Sequence, residues 1–144
     1  VSASGSAPAA PRVPITLVAA GGAVGSGLRY QLGQWFPTAA GTFPATTFAI
    51  NVAGAFALGV LYAWLARRAQ EDSWRRALIG IGFMGAFTTF STLCVDAVLL
   101  VRGDDVALAA AYVLASVAAG LVAAAAGIRM AGGRLAAALP SGES

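Results

Sequence analysis

The chain has no histidine, no lysine and a single cysteine, and Asp and Glu together number 6 among its 144 residues. One cysteine excludes an internal disulfide, and without histidine neither a zinc site of the usual ligand spacing nor a His-dependent catalytic triad can be assembled. With nucleophile, base and metal ligands all missing, no enzyme class is supported. Charge of either sign is scarce: 10% of residues are charged and 58% hydrophobic, and the mean hydropathy is +0.77. That is far too apolar for an ordinary soluble domain of this size, so the chain reads as an integral membrane protein. Its pI near 9.8 would suggest nucleic acid in a soluble chain. Here the basic residues are all arginines gathered mainly at the ends of apolar runs, where they act as topology signals, and no nucleic-acid partner is expected. Cys94 lies in an apolar run and is expected to be a small buried packing residue.

Four apolar runs are present, each near the ~20 residues that a spanning helix needs. They cover 13–36, 44–66, the stretch between Arg76 and Arg102, and 106–128. The expected fold class is an all-α membrane protein of four transmembrane helices. Residues 1–12, small, polar and Pro-containing, are expected to be a disordered leader, 13–130 the four-helix transmembrane domain, and 131–144 a flexible tail. In the first run Gly21, Gly25 and Arg29 recur at spacings of four, giving a small-residue face for a neighbouring helix. Arg29 on that face either snorkels to the interface or lines an aqueous vestibule. In the second run Thr47, Asn51, Gly54 and Leu58 share a face, and a membrane asparagine must find protein or water, as interhelical glue or as part of a path. RGDD at Arg102 to Asp105 is turn chemistry. The fourth run is Ala-rich, with Tyr112 and Ser116 one turn apart as its main polar face.

The most unusual stretch is GIGFMGAFTTFST, Gly80 to Thr92. Three glycines followed by Thr88, Thr89, Ser91 and Thr92 make a poor helix, because hydroxyls and β-branching compete with helical backbone bonding. A break at membrane depth is tolerated only where protein or an aqueous cavity satisfies the freed backbone groups, so it tends to mark an ion or substrate site. Alternatively, the glycines let a neighbour pack closely and the hydroxyls bond back to their own turn. Phe83, Phe87 and Phe90 recur at i, i+4 and i+7, a pattern more often of packing than of a pore.

Arg12, Arg67, Arg68, Arg75, Arg76, Arg129 and Arg134 fall on one side of the four runs, and Arg102, with Arg29 if it reaches that interface, on the other. The positive-inside rule places both termini in the cytoplasm of a multi-pass protein of the cell (inner) membrane.

Taken together, GGAVGSGLRY (Gly21 to Tyr30), TFAINVAGAFALG (Thr47 to Gly59) and GFMGAFTTFST (Gly82 to Thr92), in this order over four short runs, resemble the Fluc (CrcB) family of fluoride channels. The resemblance covers essentially 13–130, and TTFST is its most specific piece. It implies an antiparallel dimer of four-helix subunits, each third helix broken in mid-membrane, exporting fluoride passively through two pores. It also implies a structural sodium ion at the dimer interface, held by main-chain carbonyls at positions matching Gly85 and Thr88. The family's pore asparagine matches Asn51, its first pore phenylalanine Phe90, its fourth-helix tyrosine and serine Tyr112 and Ser116, and the arginine closing the first motif Arg29. Leu93 stands where a second phenylalanine is usual, Cys94 where serine is common and Asp96 where glutamate is usual.

The chemistry of these residues agrees with a strongly hydrated anion. A phenyl ring is positive at its edge, so Phe90 offers weak C–H donors. The Asn51 amide, the Thr47 and Ser116 hydroxyls and the Tyr112 phenol replace water's donors without a full positive charge, binding well enough for entry and weakly enough for exit. A small four-helix drug or cation exporter would be expected to carry an acid in its first run, which has none. A non-transporting scaffold leaves the polar set on the second and fourth runs unexplained.

The arginine bias bears on the partner, which is either a second copy of this chain or a homologous subunit of opposite orientation. A chain that pairs with itself in antiparallel fashion must insert both ways, which calls for nearly balanced positive charge. Expressed alone with a C-terminal topology reporter, this chain should insert predominantly with its C-terminus inside. The bias, with Leu93, favours a homologous subunit of opposite charge bias, and substantial populations in both orientations, with full fluoride export, would defeat that expectation.

Overall fold

The computed structural model describes residues 14–66 and 73–136. The leader expected at 1–12, most of the loop after Ala66 and the end of the chain past 136 lie outside the described residues. Helix α1 covers Ile15–Trp35 and α2 Ala45–Leu65. After one helical turn, α3 (Ser73–Arg75), the backbone widens into a π-helical segment, π1 (Arg76–Met84), and returns to a last turn, α4 (Gly85–Phe87). Thr88 and Thr89 are extended, α5 covers Phe90–Arg102, and α6 covers Val106–Ala136. Among the described residues every element is helical.

Three stretches are long and apolar enough to cross a membrane: Ala45–Leu65, Ser73–Arg102 and Val106–Gly132. Helix α1 has spanning length but carries five glycines together with Ser26, Arg29, Gln31 and Gln34, which lower its hydropathy. One boundary differs from expectation. Helix α6 runs to Ala136, beyond the boundary at 130, because nothing between Arg129 and Ala136 is a proline and the alanines and leucine there favour helix. The π-helical winding of Arg76–Met84 had no sequence expectation; it contains Gly80 and Gly82, and π-geometry is concentrated at functional sites.

The tightest packing joins alternate helices. Helix α1 lies along π1 with Gly21 against the Leu78 carbonyl and Gly25 against that of Phe83. Gly82 of π1 returns the contact: a Cβ there would sit 2.6 Å from the Val18 carbonyl. Helix α2 lies along α6 in the same manner, Gly59 against the Ala124 carbonyl and Gly127 against that of Phe56. Gly21–Leu78 precedes Gly25–Phe83 along α1 and π1, and Thr47–Tyr112 precedes Gly59–Ala124 along α2 and α6, so the partners in each pair run parallel, as the first and third, and second and fourth, members of an up-down bundle must. Small residues serve here because helices in lipid gain little from burying apolar surface against each other and depend on close van der Waals approach. The outward faces stay apolar, with Leu114, Leu121 and Val122 exposed.

The ends of the helices are tied locally. The Arg75 guanidinium stacks between Trp64 and Trp74, 5.1 and 4.8 Å from their ring centroids, at the join of α2 and α3. Between α5 and α6, Asp104 takes a left-handed φ of 62°, and the Asp105 carboxylate accepts a 2.9 Å bond from the Leu108 amide, an N-cap for α6.

Substituting Gly127→Val would drive side-chain atoms into the backbone of Phe56 and Val60. Overpacking of this kind costs about 1–3 kcal/mol, so the unfolding midpoint in detergent should fall clearly. Gly120→Ala, on the same helix with nothing within 4 Å of the new Cβ, should leave it unchanged.

Candidate functional site

The site is built around the two residues at which the third spanning stretch stops being helical. Thr88 has φ −73°, ψ 152° and Thr89 φ −146°, ψ 119°, so two successive peptide groups leave the helical hydrogen-bond ladder. Local hydroxyls take up part of the loss. The Thr88 amide and hydroxyl both donate to the Met84 carbonyl, at 3.1 and 2.9 Å. The Thr89 hydroxyl accepts from the Thr92 amide at 3.1 Å and donates to the Thr92 hydroxyl at 2.9 Å, capping α5.

Two side chains from other helices take up the rest. From α1, Arg29 donates through Nε to the Ala86 carbonyl at 3.1 Å, at the C-terminal end of α4, where a cation is favoured. This is a third role beside the two that the sequence left open: the guanidinium caps the break. From α2, the Asn51 amide meets Thr89 twice, Nδ2 donating to the Thr89 carbonyl at 2.9 Å and Oδ1 accepting from its amide at 2.8 Å. One turn further along α2, Gly54 leaves room for the Thr88 methyl.

A second polar locus lies between α2, α5 and α6. Tyr112 is fully buried. Its phenol donates to Asp96 Oδ2 at 3.2 Å and meets the Thr47 hydroxyl, while Phe43 stands edge-on to its ring at 5.4 Å and 89°. Thr47 and Ser116 are also buried. The parallel register that pairs Thr47 with Tyr112 and Gly59 with Ala124 sets Ser116 level with Asn51. The Ser116 hydroxyl has no hydrogen-bond partner among the described residues, although its residue is only 6% exposed. A row of uncharged polar groups, Thr47, Tyr112, Ser116 and Asn51, thus follows the α2–α6 seam as far as the break.

The remaining sequence candidates are dispersed. Phe90, the first residue of α5, is 77% exposed. Phe83 and Phe87 stack on each other at 5.6 Å and 9°, so the expected three-ring stripe ends at the break and Phe90 faces elsewhere. Leu93 is buried with Leu100, Ala109 and Tyr112 as a packing residue of the α5–α6 contact. Gly85 is exposed and Thr88 half-buried. Cys94 was expected to be buried and is exposed; the inner edge of α5 is set by Leu93 and Leu100, and Cys94 lies about 100° round the helix from Leu93. The sequence reading placed Thr89 in the weak stretch without assigning it to the site, although a threonine directly ahead of a helix is a common N-cap, and it missed the tie between Asp96 and Tyr112.

The profile of the family described as CrcB-like protein, Camphor Resistance (CrcB), matches residues 16–128. The chain is 45% identical over 122 residues to "Fluoride-specific ion channel FluC 3" of Streptomyces avermitilis, a match covering 85% of this chain and 59% of that protein. It is 40% identical over 119 residues to "Fluoride-specific ion channel FluC" of Agrobacterium fabrum, covering 82% and 95%. With the protein of that name from Oceanobacillus iheyensis it shares 39% over 118 residues, covering 81% and 90%.

Arg29→Met keeps the length of the side chain and removes the donor to Ala86. Hydrogen bonds from charged groups contribute about 1.5–3 kcal/mol, so the midpoint of thermal unfolding should fall measurably, and Arg29→Lys should recover part of the difference. Equal midpoints for all three proteins would show that the bond to Ala86 is not needed.

Proposed function

The chain belongs to the CrcB-like protein family, and we propose that it is a fluoride-selective channel of the cell membrane through which fluoride leaves the cytoplasm passively. It is a multi-pass helical protein of the kind a bilayer requires, and all four long helices cross in this reading. The observation that carries the proposal is the Ser116 hydroxyl, buried and without a partner among the described residues, level with Asn51 in a row of uncharged polar groups. A buried hydroxyl left unpaired is costly, and a small anion or the water that travels with it supplies the missing partner. Ser116 then offers its hydroxyl, and Asn51 retains one N–H beyond the bond it gives to Thr89; the single O–H of Tyr112 is given to Asp96.

Phe90 stands on the exposed face of α5, so its ring edge reaches an ion path only if a second subunit covers that face. That supports a dimer, which in this reading is antiparallel, with a second copy or a homologous subunit as the partner. Leu93, packed inward, supplies no donor edge, and this chain's own aromatic contribution rests on Phe90. The family's structural sodium is compatible with the break. Among the described residues no group of three or more His, Cys, Asp or Glu side chains could hold a metal, and in this reading main-chain oxygens serve, as the family resemblance implies. The Met84, Ala86 and Thr89 carbonyls already accept hydrogen bonds. Thr88 is extended, which turns its carbonyl away from the helix axis direction, and the space beside Gly85 is open to 4 Å. Hard cations take several oxygen ligands, which two facing subunits provide better than one.

Liposomes loaded with fluoride and chloride and containing the purified protein should release fluoride with little chloride, read with two ion-selective electrodes. Ser116→Ala and Phe90→Ile should each slow fluoride release by about tenfold, the equivalent of one lost hydrogen bond or ring-edge contact. Comparable chloride release, or release of neither ion, would count against the channel. Replacing sodium with a large organic cation throughout purification should lower dimer stability; an unchanged dimer would remove sodium from the interface.

A further inference from the structure

We propose that Asn51 is a positioning residue that locks the third spanning stretch in its broken form, acting on conduction through the backbone of Thr89 more than through a bond to the ion. The inference deepens the channel reading and rests on it for the conduction readout. Its basis is geometric. In an extended residue the N–H and C=O point to the same side, as they do in a β-ladder where one residue exchanges both bonds with its opposite neighbour. In a helix the two groups point in opposite directions along the axis. A single side chain can therefore bond both groups of one residue only while that residue is extended. The Asn51 amide does so at Thr89, at 2.9 and 2.8 Å.

The choice of residue follows from the donor and acceptor inventory. An amide presents one oxygen acceptor and an adjacent N–H donor, matching the C=O and N–H of a peptide unit. A carboxylate would set a second acceptor against the Thr89 carbonyl, and a serine is too short to reach both groups. Without Asn51, the Thr89 amide and carbonyl would have nothing from α2 to bond, and rejoining α4 to α5 as one continuous helix would become the cheapest way to satisfy them. That would withdraw the Thr88 carbonyl into the helical ladder and turn Phe90 around the helix axis. Gly54, on the same face of α2, supports the same reading: it admits the Thr88 methyl, so both residues of the break are received by one face of one helix.

A backbone ester separates this role from direct ion binding. Replacing Phe90 by phenyllactate keeps every side chain and makes the Thr89 carbonyl a weaker acceptor for Asn51 Nδ2. Fluoride efflux from liposomes is compared for the unaltered chain, Asn51→Ser, the ester and the two combined, and hydrogen exchange of the Thr89 amide is followed by NMR. The expected result is an efflux loss of about tenfold for Asn51→Ser and a few-fold for the ester, with the combination no slower than Asn51→Ser alone, the non-additivity of two changes to one bond. The Thr89 amide should exchange slowly in the unaltered chain and at least about tenfold faster in Asn51→Ser. Efflux by the ester at the unaltered rate, or losses that multiply, would overturn the proposal and assign Asn51 to the ion. If Asn51→Ser does not fold, the ester's efflux and the protection of Thr89 in the unaltered chain decide it: slowed efflux with a protected amide supports the lock, and normal efflux or an unprotected amide overturns it. An unaltered chain that releases no fluoride would defeat the channel reading, and Thr89 exchange in Asn51→Ser would still decide whether Asn51 holds the break.

Discussion

A peptide group that has left its helix and cannot reach water costs several kcal/mol, and the structure is arranged around meeting that cost at Thr88 and Thr89. Four sources contribute. The break's own threonines return hydroxyls to Met84 and cap α5, α1 brings the Arg29 guanidinium to Ala86, and α2 brings the Asn51 amide to Thr89. Both interhelical ties reach across long sequence separations. The interruption is therefore a property of the bundle, and the local sequence only permits it.

Those ties need their helices at short range, which explains where the glycines are spent. Gly21, Gly25 and Gly82 let α1 and π1 approach until backbone meets backbone, and that approach carries Arg29 to the end of α4. Gly59 and Gly127 do the same for α2 and α6, and their register sets the Ser116 hydroxyl level with Asn51. Close parallel packing and the polar row are one arrangement, because a larger residue at a crossing would separate the helices that carry the hydroxyls.

Much of this was legible from the chain. Apolar runs separated by arginines mark the helices, and the clustering of Gly and Thr from Gly80 to Thr92 marks the weak point of the third. The RGDD turn and the polar face of the fourth run follow from local chemistry. The positions of the small residues point to close approach. Less legible were the π-helical winding of Arg76–Met84 and the exposure of Cys94, each of which depends on what packs alongside.

By itself the sequence determined that this chain lives in a membrane, how its long helices are divided, which of them is hard to keep helical and which side chains offer uncharged donors. Composition and local propensity are sufficient for these because they act over a turn or two of chain. Only the tertiary structure decided what those side chains bond. Asn51 read as a donor for an ion or as glue, and the fold gives its amide to Thr89; Arg29 read as a snorkelling or vestibule charge, and the fold gives it to Ala86; Phe90 read as the third ring of a stripe, and the break turns it outward. The reason is physical: the partner of a polar group is set by the register and spacing of helices distant in sequence, and no local pattern carries that information.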